Sequence, residues 1–305
     1  SGEPVHLVVG YLPHYTEAWS AVVSNSKQFW KKYLPAGSTV DFQVMGHGIF
    51  IIDTMVAGKQ HLGYMGDMPA IEGTFRYLKP RGGVDIRIVA VLGTSQQMCN
   101  NLLVRNDAPS FKNGQEAVLW LNNKIISTTY NSCSYRFARF IFKDSGIQPK
   151  EYVNQTLELL TTNFRQNRID AAVIWEPNAS KVVKAGLAKR AATGKDFNTL
   201  DGGFLIMLND LIEQRPDVHK AWLQAELDAQ LFMADPNHAE EVINLVQQQT
   251  EGFDKEVLWE ALYGSNPSDQ TDNVKLQFDF TVTDRVQKLL DDATAFLNSM
   301  PRKIA

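Results

Sequence analysis

Hydrophobic positions in the first third of the chain alternate between short continuous runs and helical spacings. The run at residues 5–9 is apolar except for His6 and ends at Gly10, which is typical of a strand covered on both faces of a parallel sheet. Apolar residues at helical spacing follow it and stop at Leu34-Pro35. The pattern predicts strands at 5–9, 40–44, 61–64 and 86–92, and helices at 18–33 and 49–58. Strands that alternate with helices indicate an α/β layer with right-handed crossovers.

The same alternation begins again at Asn101 and continues to about residue 175. The chain then returns to one more apolar strand, at 204–208, and is helical from there to its end, with Pro216 in the first turn of a helix that stops at Asp235-Pro236. The predicted elements of this second stretch are strands at 102–104, 124–129 and 171–175, and helices at 115–121, 135–143 and 163–168.

The carboxyl-terminal third contains too few strands to build a sheet of its own. We therefore expect its helices to cover the first sheet, which makes the first lobe discontinuous. Residues 1–97 and 201–305 form this lobe, and residues 98–200 form an inserted second lobe. Two crossings between the lobes would make a hinge and a cleft, so the predicted fold is a two-lobed α/β protein.

Composition and charge exclude several classes of protein. Of the 305 residues, 44% are hydrophobic and 21% are charged, which is typical of a globular protein. The net charge is −4, and we see no basic surface of the kind that nucleic-acid binding requires. The apolar stretch 49–58 is interrupted by Asp53 and is well short of the ~20 residues that span a bilayer. The sequence starts at Ser1 and enters a strand almost at once, as expected of a processed chain.

In open α/β sheets, ligands bind beyond the carboxyl ends of the strands, where helix N-termini offer free amides. The turn that contains Ser132, Cys133 and Ser134 is the best candidate for an anion site, although helix capping alone explains these residue types equally well. Arg136 lies in the first turn of the same helix, where a cation opposes the helix dipole. Arg136 is therefore expected to have an anionic neighbour, either a ligand or a protein carboxylate.

Two further turns carry polar candidates. His47 and Gly48 follow the second strand, and His47 could donate to an anion or simply hydrogen-bond within its loop. Gly66 and Asp67 follow the third strand, where Asp67 is expected to cap a helix or to meet a ligand cation. Glu176 follows the strand at 171–175 and is expected either to stabilise the hinge or to contact the ligand.

Aromatic residues near strand ends are candidates for the wall of a pocket. We expect two or three of them to touch the ligand and the others to belong to the core. The five candidates are Tyr11, Tyr15, Trp19, Trp175 and Phe204.

Catalytic and metal-binding motifs are missing, so the sequence predicts neither an enzyme nor a cofactor or metal. Cys99 and Cys133 are the only cysteines. They could form one disulfide if the strand after Cys99 runs antiparallel to its neighbour, and closure of the loop between them would contribute roughly 4 kcal/mol. Cys133 at a helix N-terminus is a much weaker candidate for a nucleophile.

Several motifs in order along the chain resemble the nitrate/sulfonate/taurine group of ABC-transporter solute-binding proteins. The resemblance covers nearly the whole chain and rests on four motifs: Gly66-Asp67-Met68-Pro69-Ala70, Asp107-Ala108-Pro109 after the strand that starts at Asn101, Asp170-Ala171-Ala172-Val173-Ile174-Trp175-Glu176-Pro177, and Arg215-Pro216-Asp217.

The resemblance implies a type II periplasmic binding protein, or Venus flytrap, that is monomeric and has lost its signal peptide. It implies a small organic anion as the ligand and an ABC permease in the inner membrane as the partner. In this group the anionic head is held at turns that match Gly46–Gly48, Gly66-Asp67 and Ser132–Ser134.

Several points stay open under this interpretation. The aromatic candidates favour an organic tail, so the expected ligand is a sulfonate, a sulfate ester or a taurine-like molecule. A zwitterion would use Asp67 and Glu176 as cation partners, whereas a plain anion requires both to be turned away or paired with Arg or Lys. The alternatives are an enzyme like the thiamine-pyrimidine synthase on this scaffold, whose cysteine cluster the chain lacks, and a binding lobe that signals to a membrane sensor.

Overall fold

The computed structural model describes residues 2–76, 83–264 and 274–300, which contain two five-stranded sheets. The first sheet has the strand order β2-β1-β3-β10-β4. β1 pairs in parallel with β2 and β3, whereas β10 is antiparallel to both β3 and β4. Its strands are β1 (His6–Tyr11), β2 (Thr39–Val44), β3 (Leu62–Gly66), β4 (Ile86–Ser95) and β10 (Asp201–Leu208).

The second sheet contains the five strands between β4 and β10, in the order β7-β6-β8-β5-β9. β6 is parallel to β7 and β8, and β5 is antiparallel to β8 and β9. The chain crosses between the sheets twice, after β4 and before β10. The strands are β5 (Asn101–Val104), β6 (Ile125–Thr128), β7 (Glu151–Asn154), β8 (Ala171–Ile174) and β9 (Lys189–Thr193).

Twelve α-helices surround the two sheets in the described part of the chain. None of them combines the length and the apolar character needed to cross a membrane. They are α1 (Trp19–Lys27), α2 (Gly48–Val56), α3 (Asp67–Arg76), α4 (Gly114–Trp120), α5 (Cys133–Ser145), α6 (Leu157–Arg165), α7 (Asn178–Lys184), α8 (Asn209–Gln214), α9 (Pro216–Ala234), α10 (Ala239–Gln249), α11 (Lys255–Tyr263) and α12 (Asp284–Ser299).

The carboxyl-terminal helices pack on the first sheet. One apolar core contains Leu7 of β1 and Leu205 of β10 together with Trp222 of α9 and Val242 of α10. The second sheet has separate apolar clusters on its two faces, because alternate residues of a strand point to opposite sides. Each sheet is thus the centre of its own layer, which is the predicted two-lobed architecture.

Two predicted helices differ from the structure, and three observed elements were not predicted. The helix expected at 18–33 breaks at Gln28, which adopts a left-handed conformation with φ 55°, and a short 3-10 helix follows. The helix expected at 163–168 is instead α6, which begins earlier because Thr156 caps it by accepting a hydrogen bond from the Leu159 amide. The polar pattern of β7, α7 and β9 gave no hydrophobic signal, and these elements were not predicted.

Candidate functional site

A pocket of about 510 Å³, including the part open to solvent, lies between the two lobes. It is at the carboxyl ends of β1, β2 and β3 on one side and of β6 and β8 on the other, where open α/β sheets bind their ligands. The first lobe contributes Leu12, His14, Tyr15, Met45, Gly46, His47, Gly48, Gly66 and Pro69 to the lining, and the second contributes Ser132, Cys133, Leu157 and Trp175.

Besides α6, which begins at Leu157, three helices have their N-termini at this pocket. Gly48 is the first residue of α2, Gly66 directly precedes α3, and Cys133 is the first residue of α5. The first-turn amides of a helix have no carbonyl partner within the helix, and the aligned peptide dipoles add partial positive charge there. The pocket therefore offers amide donors from both lobes to a negatively charged group.

Ser132 caps α5 in this structure. Its hydroxyl accepts a hydrogen bond from the Tyr135 amide at 3.1 Å and donates one to the Thr129 carbonyl at 2.6 Å. Ser132 lines the pocket, but its hydroxyl proton is already used within the second lobe. Ser134 is buried outside the lining, and its hydroxyl donates to the carbonyl of Cys99 at 2.8 Å.

A disulfide joins Cys99 and Cys133, with their Cα atoms 5.9 Å apart. The strand that follows Cys99, β5, is antiparallel to β8, which is the arrangement that the bridge requires. The bridge ties the first crossover between the lobes to the first residue of α5. Cys133 lines the pocket through a bridged sulfur rather than a free thiol.

His47 caps α2 because its Nδ1 accepts a hydrogen bond from the Ile49 amide at 3.0 Å. Burial lowers the pKa of His47, although a hydrogen bond to the backbone of Tyr130 in the second lobe opposes this shift. Burial and the nearby charge of Lys181 also lower the pKa of His14. Both pocket histidines are therefore neutral at neutral pH.

Two of the five aromatic candidates line the pocket. The rings of Tyr15 and Trp175, one from each lobe, meet edge to face with centroids 6.5 Å apart. The other three belong to the core of the first lobe: Tyr11 donates to Gln249, Trp19 donates to the carbonyl of Pro13, and Phe204 is fully buried in β10.

The two predicted acidic residues lie outside the lining and are paired internally. Asp67 is fully buried and forms a 2.5 Å ion pair with Arg136, which reaches it from α5 in the other lobe. Glu176 is also buried and is paired at 2.5 Å with Arg190. This is the arrangement that a plain anion was expected to require.

Glu176 also holds the hinge through its backbone. Its amide donates to the carbonyl of Met98 in the first crossover at 2.7 Å, and its carbonyl accepts a hydrogen bond from the amide of Thr16 at 3.1 Å. The side chain accepts further hydrogen bonds from the amide and hydroxyl of Ser180. These contacts of Glu176 join protein segments to one another.

Sequence reasoning did not single out five of the lining side chains. Four of them follow the predicted ends of β1, β2 and β3. The expectation that ligands bind beyond the carboxyl ends of the strands could therefore have included them. The fifth, Leu157, belongs to α6, whose start was misplaced. The five are Leu12, His14, Met45, Pro69 and Leu157.

Comparison with known proteins gives structural neighbours only. No protein-family profile and no curated protein matches the sequence. The periplasmic aliphatic sulphonate binding protein SsuA from Escherichia coli is similar in structure, with a TM-score of 0.74, 20% identity, and coverage of 97% of this chain and 93% of that one. The alkanesulfonate-binding protein SsuA from Xanthomonas axonopodis pv. citri, bound to MOPS, has a TM-score of 0.73, 18% identity and coverage of 97% and 93%.

The periplasmic nitrate-binding protein NrtA from Synechocystis PCC 6803 is a third neighbour, with a TM-score of 0.78, 16% identity, and coverage of 99% of this chain and 84% of that one. At these identities the likeness shows the fold. The predicted periplasmic binding fold is confirmed, and sulfonate-binding and nitrate-binding proteins are among its neighbours, as the sequence resemblance implied.

Proposed function

We propose that this protein is the solute-binding component of an ABC importer and captures a plain organic anion, such as an alkanesulfonate or a sulfate ester. The observation that carries the proposal is the meeting of three helix N-termini, from both lobes, at one pocket. An oxyanion placed between them can accept several amide hydrogen bonds while it is shielded from water.

The charges around the pocket favour a plain anion over a zwitterion. Among the described residues that line the pocket, none is acidic. The neighbouring carboxylates of Asp67 and Glu176 are buried and already paired with Arg136 and Arg190. A ligand ammonium group such as that of taurine would be removed from water without a carboxylate partner, which is costly.

The rest of the lining suits an organic tail. Leu12, Met45, Pro69 and Leu157 provide apolar walls, and Trp175 adds a flat aromatic face. Micromolar affinity corresponds to about −8 kcal/mol. A few charge-assisted hydrogen bonds of about 1.5–3 kcal/mol each, with the burial of a short tail, are sufficient for this affinity.

The transport role has three further parts. Residues 1–97 and 201–305 form one lobe, and residues 98–200 form the other. The distribution of the strands between the two sheets supports this division. The two lobes close on the ligand by a movement about the two crossovers. The protein acts as a monomer in the periplasm and delivers its ligand to a permease in the inner membrane. The structural neighbours described as periplasmic support this location.

We propose that the seven predicted residues in the lining contact the ligand. The amides near Gly48, Gly66 and Cys133 hold the head group, and Tyr15 and Trp175 face the tail. The remaining two, His47 and Ser132, contact the ligand from the positions at which they cap α2 and α5.

Calorimetric titration with butane-1-sulfonate, methyl sulfate, benzenesulfonate, taurine and nitrate tests the proposal. We expect butane-1-sulfonate or benzenesulfonate to bind more tightly than taurine and to be recovered unchanged from the complex. Leu157→Trp should abolish binding because the larger ring fills the pocket. Leu159→Trp is the matched control, since Leu159 is on the same helix, 49% exposed and outside the lining. Tighter binding of taurine, or equal binding by both variants, would contradict the proposal.

A further inference from the structure

Three buried carboxylates lie directly behind the pocket wall, at the second crossover. Glu17 is 1% exposed, and Asp67 and Asp201 are completely buried. Arg136 is the cation that faces this group, and it is bound to Asp67. Neither Glu17 nor Asp201 takes part in the proposed binding of the anion. The burial of two more carboxylates next to an anion site therefore needs an explanation.

The carboxyl groups of Glu17 and Asp201 are close enough for each to shift the pKa of the other. Oε1 of Glu17 and Oδ1 of Asp201 are buried, and no donor among the described residues reaches either oxygen. Two neighbouring buried carboxylates repel each other when both are ionised, which favours a form in which the pair holds one proton between them. The other carboxylate oxygen of Asp201, Oδ2, accepts a hydrogen bond from the amide of Cys99 at 3.0 Å.

Tyr15 connects the carboxyl pair to the pocket. Its hydroxyl donates to Oε2 of Glu17 and lies 3.6 Å from the Sγ of Cys133. The same hydroxyl is so close to Gly66 that a Cβ at that position would be 2.9 Å from it. The oxygen of Tyr15 is therefore placed between the N-termini of α3 and α5, which we propose hold the anion.

The charge of the cluster opposes a bound anion. With one shared proton, the pair carries one negative charge, Asp67 carries a second, and Arg136 offsets one of them. Burial raises the pKa of Glu17 well above its ordinary value and raises the pKa of Asp201 to about 6. The cluster is therefore negative at neutral pH and neutral at mildly acidic pH, and an anion nearby favours the neutral form.

We propose that binding of an organic anion in the pocket is coupled to the uptake of one proton by the Glu17–Asp201 carboxyl pair. This inference rests on the proposed function. The titratable and charged groups that face the pair are Tyr15 from the turn after β1, Asp67 from α3 and Arg136 from α5. Arg136 stays charged and Tyr15 stays protonated in this range, because burial raises the pKa of Tyr15.

Calorimetric titration with butane-1-sulfonate between pH 5.5 and 8.5 tests the coupling. A sulfonate stays ionised over this range, so any pH dependence belongs to the protein. We expect the affinity to increase as the pH falls, by up to about tenfold per pH unit, and to level off below about pH 6. Repeating the titration at pH 7.5 in buffers of different ionisation enthalpy should show uptake of up to one proton per ligand.

Asp201→Asn should bind at pH 8 as tightly as the unmodified protein binds at pH 5.5, with no proton uptake, because the amide is neutral and can still accept from the Cys99 amide. Glu226→Gln is the matched control: burial raises the pKa of Glu226 to about 7, but Glu226 is outside the lining. It should keep the full pH dependence.

The outcomes separate the two proposals. Binding with one affinity across the pH range and no proton uptake would overturn the coupling alone. Proton uptake that persists in Asp201→Asn would overturn the assignment to this pair. No binding of butane-1-sulfonate at any pH, together with no binding of the other organic anions, would overturn the proposed function and this inference with it.

Discussion

Replacement of Arg136 by methionine should destabilise the protein strongly, because it leaves a carboxylate buried without its cation. Asp67 is fully buried, and Oδ1 of Asp67 has no donor among the described residues. After the substitution, the Gly202 amide, 3.3 Å from Oδ2 of Asp67, still donates a hydrogen bond to this carboxylate. Removal of one partner from a buried ion pair costs about 3–5 kcal/mol. We expect the free energy of unfolding of Arg136→Met, measured by urea denaturation, to fall by this amount.

Two further variants show whether the charge is the cause. Arg139→Met changes an exposed arginine one turn further along the same helix and should alter the unfolding free energy by no more than about 0.5 kcal/mol. Asp67→Asn combined with Arg136→Met should recover most of the loss, because no buried charge is left unpaired. The reasoning is refuted if Arg136→Met alone costs less than about 1 kcal/mol, or if the double variant is as unstable as the single one.

Three other predictions concern a helix cap, a buried carboxyl group and the disulfide. Ser132→Ala should lower the unfolding free energy by about 1 kcal/mol, and Ser132→Asn, which keeps a capping oxygen, should lower it much less; equal losses would contradict a capping role. Burial raises the pKa of Glu226 to about 7, so the stability that this group contributes is complete below pH 4.5. That contribution, roughly 3 kcal/mol, is lost as the pH rises through 7. The melting temperature of Glu226→Gln should therefore decline less over this pH range than that of the unmodified protein. Replacement of both Cys99 and Cys133 by serine should cost about 4 kcal/mol, because their bridge closes a loop with a sequence separation of 34; an unchanged urea midpoint would contradict it.

The sequence identifies the strands and the turns of this fold better than it identifies side-chain roles. An apolar run marked β1, and the short segment at 61–64 marked β3, which is buried on both faces. Ser132 and His47 were found as residues at helix starts, and both do cap a helix that ends in the pocket. These features are local, since a cap or a strand face depends on residues a few positions away.

The partners of the buried charges could not be predicted, because they depend on contacts between distant parts of the chain. Asp67 and Arg136 are 69 positions apart and belong to different lobes. The aromatic candidates show the same limit: Tyr11 and Tyr15 both follow the apolar run of β1, yet only Tyr15 faces the pocket. The hydrophobic pattern predicts which residues are buried. It does not distinguish a residue in the wall of a pocket from a residue in the core, because both are buried.

The distribution of charge around the pocket would allow the proposed capture of an anion to be reversible. The nearby arginines are bound to Asp67 and Glu176, so the attraction comes from helix amides and their partial charges rather than from a full cation. A buried guanidinium would form a short bidentate pair with an oxyanion, and separating that pair would expose an uncompensated charge. Amide donors lose less when the anion leaves, because their dipoles are fixed and carry no net charge. A site built on helix N-termini would therefore suit the proposed function, because it would combine selection by head-group shape with ready release of the ligand to a transporter.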